Sequence, residues 1–208
     1  MRTLIAIPCM DMIPTPFFKS ILELDKEGSD IGLSISSLVY DARNKLCHDA
    51  VVGGYDRMLW LDSDMGFAPD LMQKLHATMD EGHDVVCGIF VKRKRPITPC
   101  IYKDVYRTDN PDGTFEPHAD TFFDYPKEAV FPIAACGFGG VMVKVDLIAT
   151  IKERYGLPFS PIEGFGEDLS FCMRARELGA DMVCDSRIKL AHFGYTSYTE
   201  EDYLKGER

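Results

Sequence analysis

Two carboxylates one residue apart, Asp62 and Asp64, end the apolar run Met58-Leu59-Trp60-Leu61. In an extended backbone, side chains two positions apart share a side, so Asp62 and Asp64 are expected to aim at one point while Ser63 turns away. Carboxylates aimed at one point repel unless a cation lies between them. This predicts a hard divalent ion at the carboxyl end of a strand, where open α/β sheets bind ligands. A second acidic pair, Glu167-Asp168, follows Gly164-Phe165-Gly166 and opens a helix. The helix dipole keeps such acids ionised near neutrality. A carboxylate there can still take the proton of a hydroxyl that becomes acidic late in a transition state. His192 ends a strand in Ala191-His192-Phe193-Gly194. An imidazole beside two carboxylates makes a mixed nitrogen and oxygen set, which suits Mn²⁺ better than Mg²⁺. Arg43, next to Asn44, can reach a phosphate or a base, and Lys92-Arg93-Lys94-Arg95 can attract an acidic acceptor or hold a diphosphate. Each feature also has a plainer reading: solvated loop acids, first-turn acids, a structural histidine, a solubilising basic run.

These residues need a frame, and the hydrophobic pattern supplies one. Thr3–Ile7, Ile31–Ser37, Met58–Leu61 and Val85–Ile89 read as strands. Between them lie stretches of helical periodicity: one opened by Pro14 and Pro16, one capped by Asp41 and closed by Gly53-Gly54, and one with Pro69 in its first turn. The alternation β-α-β-α-β-α-β predicts an α/β fold with a mainly parallel sheet and right-handed crossovers. Residues 91–131 depart from this pattern. Asn110-Pro111-Asp112-Gly113 marks a turn, with Ile101–Tyr106 and Thr121–Tyr125 expected to pair as antiparallel strands around it. Gly137-Phe138-Gly139-Gly140 allows something to approach the backbone closely. A helix over Val145–Tyr155, the helix after Gly166, and strands over Asp181–Cys184 and Ile188–Ala191 complete the frame.

The chain has 208 residues and a net charge of −10, a size that fits one domain. The acidity disfavours broad binding to nucleic acid or anionic membrane. Its seven cysteines form no CxxC pair, which predicts buried, reduced thiols and a cytoplasmic protein, or the host cytoplasm for a viral one. The first apolar run is too short for a signal peptide, and no run is long enough to span a bilayer.

Taken in order, these elements resemble the GT-A glycosyltransferases, in particular the family 2-like group. The likeness rests on Pro8-Cys9-Met10 after the first strand, Arg43-Asn44, Asp62-Ser63-Asp64 followed by Gly66-Phe67-Ala68-Pro69, the glycines 137–140, Gly166-Glu167-Asp168 and His192. It implies a Rossmann-like nucleotide-diphospho-sugar transferase domain over residues 1–208. Residues 1–90 would be the nucleotide half, 91–131 an acceptor-recognising excursion, 132–194 the catalytic and acceptor half, and 195–208 a tail. The nucleotide sugar, expected to be a UDP-sugar, would lie along Pro8, Cys9, Met10, Arg43, Asp62, Ser63 and Asp64, with Gly139 and Gly140 by the sugar. Asp62, Asp64 and His192 would hold Mn²⁺ or Mg²⁺. Asp168 would be the general base of an inverting transfer to a hydroxyl, and Glu167 would help position acceptor or base.

The acceptor is open: a glycan, a protein, a small molecule, or 5-hydroxymethylated bases in DNA met through Lys92, Arg93, Lys94 and Arg95. The near-minimal length and the lack of a membrane tail argue against lipid-linked acceptors. Two rival readings are a nucleotide-sugar-binding module without turnover and a phosphohydrolase of the haloacid-dehalogenase type. The latter also follows a strand with D-x-D, but near its amino terminus.

Overall fold

The computed structural model describes residues 1–10, 12–194 and 197–205. Along the chain the elements are β1 (Thr3–Cys9), α1 (Thr15–Glu23), β2 (Asp30–Ile35), α2 (Val39–Gly53), β3 (Arg57–Trp60), β4 (Met65–Gly66), α3 (Leu71–Met79) and β5 (Val85–Ile89). There follow β6 (Ile101–Asp109), β7 (Phe115–Thr121), β8 (Val130–Pro132), β9 (Ala135–Cys136), β10 (Val141–Lys144) and α4 (Val145–Tyr155). The last are α5 (Glu167–Glu177), β11 (Met182–Lys189), β12 (Ala191–Phe193), β13 (Ser197–Tyr198) and α6 (Glu200–Leu204).

A seven-stranded sheet in the order β2-β1-β3-β10-β5-β11-β8 organises the molecule. β1 is fully buried, and its residues alternate between two cores. Leu4 and Ala6 join Leu46, Trp60, Ile148 and Phe171 on one face, under α2, α4 and α5. Ile5 and Ile7 join Phe17, Leu59, Leu61 and Leu75 on the other, under α1 and α3. A sheet covered on both faces explains why these strands read as unbroken apolar runs rather than as alternation.

The sheet is parallel in β2, β1 and β3, and again between β5 and β11. Between these blocks β10 runs antiparallel to both β3 and β5, which the sequence pattern did not foretell. Strand direction leaves no mark on a buried run of apolar residues. Its consequence is positional: the start of β10, with Gly137–Gly140, lies at the same edge as the carboxyl ends of β1, β3 and β5, where Asp62 begins.

The excursion holds a hairpin, but β6 pairs with β7, Tyr102 against Thr121 and Asp109 against Phe115. Both arms extend further into the polar stretch than expected, and residues 122–125 form no strand. The turn itself falls at Asn110–Thr114, with Gly113 at φ 85°. The two expected closing strands also differ: Met182–Cys184 and Ile188–Lys189 belong to one strand, β11, with an irregularity between Asp185 and Lys189, while Asp181 precedes it and Ala191 opens β12. Asp41 does not cap α2; Leu38 holds that position and Asp41 sits inside the first turn. All seven cysteines are buried free thiols. Among the described residues no helix is long and apolar enough to cross a membrane.

Candidate active site

Arg43 is the centre of the cleft's inner half. It sits on α2 with 1% of its surface exposed, its guanidinium boxed by the rings of Trp60, Phe138 and Phe159 at 5.6, 5.3 and 5.4 Å. Aromatic faces on a desolvated guanidinium contribute on the order of 2 kcal/mol. Three carboxylates meet it: Asp62 Oδ1 at 2.9 Å, Asp168 Oδ1 at 3.2 Å and Glu167 Oε1 at 3.7 Å. One cation thus faces three anions. Burial raises the pKa of Asp62, an effect Arg43 opposes and Asp64 reinforces. Burial likewise raises Asp168, to about 7; Arg43 opposes this, while Asp62 and Glu167 add to it. The cluster is built to keep a proton near neutrality, and its acids titrate as a unit.

Asp168 stands in the first turn of α5, whose N-cap is Gly166. Its Oδ2 accepts a hydrogen bond of 3.2 Å from the backbone N–H of Phe138, tying it to the glycine stretch before β10. Its Oδ1 is buried and has no hydrogen-bond partner among the described residues. Its charged neighbour there is Arg43 at 3.2 Å, and a carboxylate oxygen accepts more than one contact, so Oδ1 can still take a proton.

The outer half is built around Asp64. The extended geometry expected for Asp62-Ser63-Asp64 is corrected here: the chain turns at Ser63 and Asp64, and Met65 N–H donates to the carbonyl of Asp62 at 3.1 Å. The two carboxylates still line one cleft but take different partners. Asp62 turns in to Arg43, which accounts for one of its oxygens. Asp64 turns out, with Oδ2 at 2.9 Å from Arg93 Nη2 and Oδ1 at 3.5 Å from His192 Nε2.

His192 is held there by the backbone. β12 lies antiparallel on β4, with His192 opposite Met65, and Phe193 N–H donates to the carbonyl of Asp64 at 2.7 Å. Gly66 permits this approach, because a Cβ there would lie 2.6 Å from the Phe193 ring. The His192 ring meets Phe90 edge to face, and its Nδ1 donates to the carbonyl of Val91 at 2.9 Å. A carbonyl only accepts, so Nδ1 carries the hydrogen and Nε2 is the nitrogen presented to Asp64.

These residues fit one end of a divalent-ion site. Asp64 Oδ1 is buried without a hydrogen-bond partner, and it faces an imidazole whose other nitrogen is anchored on a carbonyl, the arrangement usual behind a metal-ligating histidine. Among the described residues no third His, Cys, Asp or Glu completes a ligand group. Asp62, expected as a ligand, gives its Oδ1 to Arg43 at 2.9 Å. For Asp64, burial acts to raise the pKa, but the His192 ring and the Arg93 charge outweigh it and the net shift is downward.

The cleft joining both halves measures about 420 Å³. Pro8, Cys9, Met10, Arg43, Asp62, Ser63, Asp64, Glu167, Asp168 and His192, all expected at a site, line it. Gly139 and Gly140 do not. A Cβ on Gly139 would lie 2.9 Å from Met65 Sδ, and one on Gly140 would strike Leu190, so their closeness is to core side chains. Of the basic run, Arg93 reaches the cleft, and it also donates to the carbonyl of Phe193 at 2.9 Å. Sequence reasoning missed Ser36, Ser37 and Val39, which also line the cleft. The available signal was their place just beyond the end of β2, at the same carboxyl edge as Pro8. It also missed the aromatic box around Arg43, which joins residues far apart in the chain.

No family model and no curated protein matches the chain. Solved structures do. A197 from STIV aligns with a TM-score of 0.67 at 23% identity, over 93% of this chain and 86% of that one. The structure of GalNAc-T7 with UDP, GalNAc and Mn²⁺ aligns with a TM-score of 0.58 at 8% identity, over 99% of this chain and 47% of that one. At such identities the likeness carries the fold. The mixed α/β architecture, with its mostly parallel central sheet flanked by helices, is that of the GT-A glycosyltransferases.

Proposed function

We propose that the protein is an inverting glycosyltransferase that moves a sugar from a UDP-sugar to a hydroxyl acceptor. The observation that carries this reading is Asp168: a carboxylate paired with Arg43 at 3.2 Å and raised to about 7, in the cleft that also holds Asp64 and His192. The nucleotide would lie along Pro8, Cys9, Met10, Ser36 and Ser37, at the carboxyl edge where open α/β sheets take nucleotides. The presence of UDP and Mn²⁺ in the GalNAc-T7 structure supports the choice of donor and ion.

A divalent ion held by Asp64 and His192, Mn²⁺ being favoured by the mixed donor set, would neutralise charge on the leaving diphosphate. The chain's own residues do the rest. Asp168 takes the acceptor's proton as the acceptor oxygen bonds to the anomeric carbon and the carbon–oxygen bond to the diphosphate breaks. Arg43, 3.2 Å from Asp168, stabilises its ionised form before the reaction and stays paired with Asp62 and Glu167 after it. Glu167 holds Arg43 in place rather than touching the acceptor. A single carboxylate in the proton-accepting role suits one displacement and therefore inversion.

The test is incubation with a panel of UDP-sugars and Mn²⁺, followed by detection of free UDP and of the anomeric configuration of the product. Release of UDP, with inversion at the anomeric carbon, is expected. Failure of every UDP-sugar to bind with Mn²⁺ present would sink the reading.

A further inference from the structure

A second cavity of about 800 Å³ lies on the far side of the Asp64–His192 pair. Its floor is apolar, with Pro14, Pro16 and Phe193, and its rim is Lys92, Arg93 and Lys94. Asp64, Arg93 and His192 line both cavities and form the threshold between them. Cys100, on the wall of this second cavity, packs against Gly137, beside Asp168 Oδ2.

The rim is unusual for so acidic a chain. Arg93 is spent on Asp64 and on the Phe193 carbonyl. Lys92 lies over the Tyr102 ring at 5.2 Å, and among the described residues no carboxylate pairs with Lys92 or with Lys94. Elsewhere most lysines with ordered contacts do find acids, as Lys45, Lys74, Lys103 and Lys144 do. Cations without a counter-charge, above an apolar floor, fit a ligand that has both an anionic group and an apolar or ring portion.

We infer that this cavity is the acceptor subsite and that the acceptor carries a phosphate ester, which Lys92 and Lys94 hold. The inference rests on the glycosyl-transfer reading for its role, but the phosphate site stands on the cavity itself. Asp168 lines the first cavity and not this one, so the hydroxyl of an acceptor held here reaches the base across the threshold of Asp64, Arg93 and His192 that the two cavities share. On the transfer reading the nucleotide lies along Pro8, Cys9, Met10, Ser36 and Ser37, none of which lines this cavity.

Titration calorimetry with 4-nitrophenyl phosphate, in saturating UDP and Mn²⁺, separates the two sources of phosphate. Wild type should bind the aryl phosphate with UDP already in place. The neutral 4-nitrophenyl glucoside should bind at least tenfold more weakly. Lys92→Gln/Lys94→Gln should weaken the aryl phosphate at least tenfold and leave UDP affinity within twofold. A decathymidylate arm tells a nucleic-acid phosphate from a small ester: tighter binding than the aryl phosphate, lost in the same variant, would place the phosphate in DNA. The inference is overturned if UDP excludes the aryl phosphate, if the double variant loses UDP instead, or if phosphate and glucoside bind alike. Absence of UDP binding in wild type would count against the transfer reading alone. The phosphate arm, run without UDP, would still read the rim.

Discussion

Asp62 and Asp64 stand two residues apart and live in opposite surroundings. Asp62 belongs to a closed cluster, where Arg43 is sealed by three rings and shared among three acids, and its pKa is raised. Asp64 belongs to an open threshold, where His192 and Arg93 are its neighbours, and its pKa is lowered. The difference is how each half handles charge. The inner half sets one cation against three acids and tunes a proton. The outer half keeps a free oxygen and an anchored imidazole, ready for a ligand that comes from outside. A turn of a few residues is enough to divide the two roles.

Removing Arg43 should break the inner half. Arg43→Ala leaves three half-buried carboxylates facing one another along the cleft without their cation, and unfolding in urea should show a loss approaching about 3–5 kcal/mol. A loss near zero would mean that the cluster is solvated rather than closed.

The proton held there gives the next test. An acid whose folded pKa lies above its unfolded value of about 3.9 binds a proton in the folded state that the unfolded state has released. Its contribution to stability is therefore complete below pH 4 and is lost as pH rises toward about 7, the folded value for Asp168. Asp168→Asn removes this loss. Above pH 7 the variant should be more stable than wild type by on the order of 2 kcal/mol, allowing for the water that reaches the side chain, and the difference should vanish near pH 4. Transfer in wild type should rise with pH through about 7 and then level, because the base must be ionised. A variant equally stable to wild type at pH 8 would show that Asp168 ionises freely.

The outer half should respond to substitution through metal rather than through stability. Asp64→Ala and His192→Ala should each weaken Mn²⁺ binding by at least ~10-fold, read from the free Mn²⁺ signal in electron paramagnetic resonance, with little change in urea midpoint. Asp62→Asn should change Mn²⁺ affinity far less. Equal losses in the Asp62 and Asp64 variants would erase the distinction between the halves. The smallest effect is expected from Arg93→Gln. Its guanidinium competes for Asp64 at a part-exposed site, where such pairs contribute about 0.2–1 kcal/mol, so Mn²⁺ should bind roughly two- to fivefold more tightly.

Much of this frame was legible in the sequence, because two-sided burial writes strands as apolar runs and crossover helices as 3.6-residue stripes. Val85–Ile89 and Val145–Tyr155 fall where that pattern places them, and the first strand, expected over Thr3–Ile7, runs on through Pro8 to Cys9. What the pattern could not carry was direction and turn. β10 is as apolar as its parallel neighbours, so its reversal is visible only in the sheet. Ser63 and Asp64 are turn-forming residue types, and that local preference won over continuation of the strand. At the site, acids and histidine are recognisable by type and order. The aromatic box, the Arg93–Asp64 contact and the Val91 carbonyl behind His192 depend on packing between distant segments. The glycines 139 and 140 were read as room for a ligand, and the room is filled by Met65 and Leu190.

The division between the halves is tested most directly by calorimetric titration of UDP, with and without Mn²⁺, into wild type, Asp64→Ala and Asp168→Asn. Wild type should bind UDP in a Mn²⁺-dependent manner. Asp64→Ala should lose that dependence, and Asp168→Asn should keep the full affinity while failing to transfer sugar. UDP binding that ignores Mn²⁺, or that survives in Asp64→Ala and disappears in Asp168→Asn, would contradict the account.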